Sequence, residues 1–201
     1  MNQIITKELV DSAMSYEQFV YLTEQLLLEG RTTGPDQSES MVGYTRLNDR
    51  RMKRLSKTIK LNPSLVKKIE AIRKPLTWLV ITEAWCGDAA QSIPVLAKMT
   101  GHNELLNMKL ILRDENLEVM DAYLTNGSRA IPKLICLDAN FQDVGTWGPR
   151  PAPIQKMVMD FKKISDGDYQ SFSEKVQLWY ARDKAVVLQQ EILSLLDTWT
   201  A

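Results

Sequence analysis

The stretch over 78–94, Trp-Leu-Val-Ile-Thr-Glu-Ala-Trp-Cys-Gly-Asp-Ala-Ala-Gln-Ser-Ile-Pro, limits what this chain can fold into more than any other. An apolar run ends at Trp85-Cys86-Gly87, and a helical pattern carrying Pro94 follows. That pattern reads as a buried strand delivering a thiol to the first turn of a helix. A cysteine there faces unpaired backbone N–H groups and the positive end of the helix dipole, and both favour the thiolate. Asp88 opposes them, because a carboxylate near a thiolate raises the thiol pKa. Arg150 is the first candidate for an offsetting cation and Arg113 the second. The competing expectation for both is a surface arginine paired with an ordinary carboxylate.

Around this stretch the chain divides into a helical N-terminal extension (1–74), an α/β core (75–165) and a helical C-terminal extension (166–201), one compact domain of 201 residues. Helices are expected over 15–29, 39–56 and 62–72, the last opened by Asn62-Pro63 as a cap followed by proline at the first helical position. A short edge strand is expected at 57–61. From residue 75, strands over 77–83, 108–113 and 133–138 alternate with helices over 88–102 and 116–125. Short links between them imply parallel strands with right-handed crossovers. A hairpin at 138–142 then leads to an antiparallel strand over 143–147, followed by a helix over 154–163. Residues 168–199 read as one long or broken amphipathic helix.

Charge excludes some functions. Lysine plus arginine equals aspartate plus glutamate at 25 each, so no global field recruits nucleic acid or an anionic membrane surface. The seven basic residues over 46–60, with Asp49 the one acid, read as a solvated helix face. No apolar run approaches the ~20 residues that span a bilayer, and residues 1–10 lack the pattern of a signal peptide. Two cysteines argue against a disulfide framework and for a reducing cytoplasm. One histidine, His102, and two separated cysteines assemble no structural zinc set, so no metal is expected.

Strand, Trp85-Cys86-Gly87, helix with Pro94, strand, helix, then Ala130-Ile131-Pro132 and a hairpin to Gly148 resembles the thioredoxin family over roughly 77–163. The resemblance implies an α/β thioredoxin-like fold with a central mixed sheet. It implies a cis-proline at Pro132, preceded by Ile131 and facing Cys86, and a groove lined by Gly148. Trp85, Gly87, Asp88, Trp147 and Arg150 join that groove. The two tryptophans serve either as an apolar rim for an extended peptide or as core packing. The Trp-Cys-Gly-Asp-Ala-Ala variant is similar to a bacterial branch with a single active-site cysteine.

Two departures from the family pattern bear on chemistry. Ala89 stands where a second cysteine would complete Cys-x-x-Cys, and Val80 stands where many thioredoxins carry a buried acid. Cys136 offers no substitute. Four residues beyond Pro132 along a strand it lies ~13 Å away, whereas a disulfide needs Cα atoms within roughly 7 Å; it reads as a small core residue. Glu83, three residues before Cys86, is expected as an exposed strand-end carboxylate, or as a base if the strand end bends it toward the thiol.

Two functions remain open. One is a monothiol thiol–disulfide oxidoreductase acting through Cys86 on a protein or peptide partner, with an outside thiol such as glutathione as co-substrate and no bound cofactor. The other is a redox-inactive module that holds a partner in the same groove. An iron–sulfur carrier is disfavoured because the turn at 86–89 lacks the residues usual in monothiol glutaredoxins.

Overall fold

The computed structural model describes residues 4–164 and 167–200. Strands β1 (Leu76–Thr82), β2 (Leu106–Leu112), β3 (Lys133–Leu137) and β4 (Asp143–Trp147) form one sheet in the order β2-β1-β3-β4. The helices are α1 (Lys7–Ser12), α2 (Tyr16–Leu28), α3 (Glu39–Thr58), α4 (Pro63–Glu70), α5 (Gly87–Thr100), α6 (Leu117–Ala122), α7 (Ala152–Phe161), α8 (Tyr169–Asp183) and α9 (Val186–Trp199). Local chemistry sets several starts. Ser15 and Gln18 form a capping box on α2, Asn62 caps α4 ahead of Pro63, and Asp168 accepts from Gln170 and Ser171 at α8. The short α1, capped by Thr6, is an element that the sequence pattern did not announce.

The sheet is mixed: β1 runs parallel to β2, but β3 is antiparallel to β1 and β4 antiparallel to β3. The mixed sheet implied by the resemblance is present. The parallel third strand expected from strand–helix alternation is not. The reason is length. α6 has six residues, about 9 Å of helix, whereas β1 has seven, about 23 Å of strand. The helix covers less than half of that distance and the link does not return the chain to the starting edge, so β3 begins where β1 ends and Ile81 faces Lys133. That reversal brings Pro132 beside the strand end that leads into Cys86.

The expected edge strand at 57–61 is also absent. Residues 57 and 58 finish α3, and beyond them Ile59 offers its carbonyl to Lys98 Nζ at 2.7 Å rather than to a ladder.

Trp78, Leu79, Ile81, Leu134 and Ile135 are fully buried, and Ile93, Leu96 and Met99 of α5 join the same core. α9 adds Leu188, Ile192, Leu196 and Trp199, with the Trp199 ring edge-on to Trp78 at 6.2 Å. Residues 168–199 form a broken helix: Lys184 and Ala185 both take left-handed φ, 53° and 60°, which for non-glycine residues costs about 1–2 kcal/mol apiece. Before that break, α8 packs with α7 in a second cluster built on Ile154, Val176 and Tyr180.

Candidate functional site

Cys86 is the N-cap of α5. Its thiol donates to the Ile131 carbonyl at 3.3 Å, and the Ile131–Pro132 bond that follows is cis. Gly148 sits behind that bond with φ 114°, and a Cβ there would lie 2.3 Å from the Pro132 carbonyl oxygen. Only glycine permits this approach. Cys86, Ile131, Pro132 and Gly148 therefore meet at one place, and Pro94 lies inside α5.

Asp88, in the first turn of α5, is fully engaged. Its Oδ2 accepts from Arg150 Nε at 2.9 Å and Nη2 at 2.6 Å, and its Oδ1 accepts from the Tyr180 hydroxyl at 2.8 Å. Arg150 also donates Nη1 to Gln155 Oε1 at 3.0 Å. The two charged side chains are only 16% and 14% exposed. Arg150 thus pairs with the very carboxylate it was expected to offset.

Cys86 is 8% exposed. Burial pushes its thiol up to about 12, and the Asp88 charge adds to the rise, while the Ala89 and Asp88 backbone N–H groups and Arg150 pull the other way. The amides of the helix start favour the thiolate as expected, and Arg150 adds to them, but loss of water outweighs both.

Two helices outside the core segment press on the turn. From α8, Gln177 Oε1 accepts from Gln91 Nε2 at 2.8 Å, and Gln177 Nε2 would lie 3.1 Å from a Cβ on Gly87. From α3, Asn48 Nδ2 donates to the Ala84 carbonyl at 3.0 Å and Arg51 Nη1 donates to Asn48 Oδ1 at 2.9 Å. Arg51 Nη1 would stand 3.9 Å from the same Gly87 Cβ. Sequence reasoning missed Asn48, Arg51, Gln177 and Tyr180. For Asn48 a signal existed: Thr45, Asn48, Asp49 and Met52 share one helical face, and all are buried.

Other expected site residues lie elsewhere or do other work. Trp85 is half-buried beneath the Arg113 guanidinium, 4.8 Å from the ring centre, and Arg113 pairs with Asp114 at 2.8 Å. Trp147 is buried and donates its indole N–H to Glu191 Oε2 at 2.7 Å, while Glu191 Oε1 accepts from Ala152 N. It packs the core toward α9 instead of forming a groove rim. Glu83 corrects the expectation of an exposed carboxylate: it is 1% exposed, and its Oε1 accepts from Asp114 N at 2.9 Å. The Thr33 hydroxyl, which accepts from Ala84 N, closes over this strand end. Burial raises the Glu83 pKa, and its charged neighbours are Asp114 and Arg113, whereas those of Cys86 are Asp88 and Arg150. Cys136 is wholly buried opposite Trp78 across β1 and β3.

Among the described residues, no group of three His, Cys, Asp or Glu side chains could hold a metal ion, and no helix is long and apolar enough to cross a membrane. A cavity of about 460 Å³ opens at the opposite end of the sheet, between Lys68, Arg73, Asp138, Val144 and Trp199.

The family model described as Thioredoxin matches residues 34–163. Two crystal structures are similar across nearly the whole chain. One is a Pseudomonas aeruginosa protein of unknown function, with TM-score 0.60, 19% identity, and 94% of this chain and 95% of that chain covered. The other is an HIV epitope-scaffold, with TM-score 0.59, 19% identity, and coverage of 94% and 96%. At this identity the likeness concerns the fold alone. No curated protein matches the chain.

Proposed function

Because the chain belongs to this thioredoxin family, we propose that it is a monothiol thiol–disulfide oxidoreductase with Cys86 as nucleophile. The observation that carries the reading is the seat of the Cys86 sulfur, on the first turn of α5 and 3.3 Å from the Ile131 carbonyl. An extended peptide pairing with the backbone at Ile131 would bring a disulfide to that sulfur. The Cys86 thiolate attacks one sulfur of a protein or peptide disulfide; a mixed disulfide forms at Cys86, and the other sulfur leaves as a thiolate that takes a proton from water.

Ala89 offers no resolving thiol, so a low-molecular-weight thiol such as glutathione attacks the mixed disulfide and releases the second substrate thiol. A second such molecule then frees Cys86. Two external thiols become one disulfide and the substrate disulfide becomes two thiols, so electrons balance. Both cysteines are free, which suits the reducing cytoplasm where this reading places the protein.

Glutathione-coupled reduction of a small-molecule disulfide tests it. Turnover should be lost in Cys86→Ser and kept in Cys136→Ala; an unaltered chain that gives none overturns the reading. One observation favours a redox-inactive binding module instead, namely the burial that pushes the Cys86 thiol up to about 12. On that reading, peptide binding persists in Cys86→Ser.

A further inference from the structure

The apolar residues of α8, Phe172, Val176, Trp179 and Tyr180, cluster with Ile154, Met157 and Val158 of α7, apart from the main core. The helix is fastened to the thiol-bearing helix by polar groups: the Tyr180 hydroxyl on Asp88 and Gln177 on Gln91. Arg150, in the link that precedes α7, grips the same carboxylate. The far end of α8 leaves through Lys184 and Ala185, two consecutive residues in the left-handed region, before α9 enters the main core. A helix that covers Gly87 and Asp88, packs outside the main core on a small cluster shared with α7 and is tied to α5 by hydrogen bonds opens at a lower cost than the sheet.

We propose that α8 is a lid over Cys86, latched by Tyr180 on Asp88 and Gln177 on Gln91, and that a disulfide substrate reaches the thiol only when the latch opens. The lid rests on the oxidoreductase reading for its purpose, while its geometry stands without it. Closed, it keeps the thiol out of water. Opened by a peptide entering beside Ile131, it returns water to Cys86 and removes the main cause of its raised pKa.

The test measures iodoacetamide alkylation of Cys86 near neutral pH in a Cys136→Ala background, with and without Tyr180→Phe. This change removes one hydroxyl and leaves the ring packing in place. A hydrogen bond to a charged partner sets the scale, so the rate should rise on the order of tenfold. Equal or slower alkylation overturns the lid. Hydrogen exchange on the unaltered chain is read in parallel and decides alone if Tyr180→Phe does not fold. Amides of α8 should exchange faster than those of α5 and β1, through an opening insensitive to low denaturant; exchange only with global unfolding overturns the lid. Faster alkylation without disulfide turnover in either protein would keep the lid and remove the oxidoreductase reading. Turnover with unchanged alkylation would do the reverse.

Discussion

Cys86 and Cys136 are both free thiols, 8% and 0% exposed, and burial pushes each of them up to about 12. Their walls differ. Cys136 lies within β3, with Trp78 opposite it on β1 and Gly145 on β4, on the face that Trp199 of α9 covers, so water reaches it only if the main core comes apart. Cys86 lies at a helix start beneath side chains joined by hydrogen bonds and one ion pair. Equal burial therefore does not mean equal protection. What governs a buried thiol is the cheapest opening that exposes it.

The strongest way to challenge this contrast is to loosen the sheet. Leu134 is fully buried on β3, opposite Val80 and Trp147. Leu134→Ala should cost about 3 kcal/mol, seen as one shift of the urea midpoint by every probe, and should make Cys136 accessible in step with unfolding. Sheet signals that separate from one another would break the picture of a single cooperative core. Loosening the satellite cluster should do less. Val176 is 7% exposed between α7 and α8, and Val176→Ala removes two methyl groups, about 1.5 kcal/mol. That is roughly tenfold in an opening equilibrium. Cys86 alkylation should accelerate by about that factor while Cys136 and the sheet midpoint stay put. Equal acceleration of both thiols would erase the distinction between the two sites.

The part of this arrangement that the sequence disclosed is the part that local rules control. β1, the thiol at its end and the helix with Pro94 follow from one apolar run and one helical pattern, and the mixed sheet followed from the thioredoxin resemblance. The direction of β3 escaped the alternation rule because it depends on how short α6 is. Glu83 was misplaced because its cover comes from Thr33, across a contact 51 residues apart in sequence between Thr33 and Ala84. The latch was invisible for the same reason: Tyr180 reaches Asp88 across 92 residues, and one hydroxyl leaves no periodic trace. Arg150 was legible because Asp88 posed a charge problem that needed a cation and Gly148, two residues before it, was expected to border the groove.

Alkaline pH gives the finest separation of the two thiols. Each has a folded pKa raised above the ~8.5 of a free cysteine, so the stabilisation each contributes is complete below that value and is lost as pH rises toward about 12. For Cys136 the only release is unfolding. For Cys86 a smaller release exists, since lifting α8 rehydrates the thiol while the sheet stays intact. The charged and titratable groups facing Cys86 are Asp88 and Arg150, already paired, and Tyr180, whose phenol burial holds well above its usual value. In a Cys136→Ala background, ultraviolet thiolate absorbance should give a Cys86 midpoint between ~8.5 and about 12, with each tenfold preference for the closed lid adding about one unit. Val176→Ala should lower that midpoint, and Cys86→Ser should abolish the transition. In a Cys86→Ser background, Cys136 should titrate only as the sheet unfolds. A Cys86 thiolate that likewise forms only with global unfolding would make the two sites equivalent and leave α8 as a fixed wall.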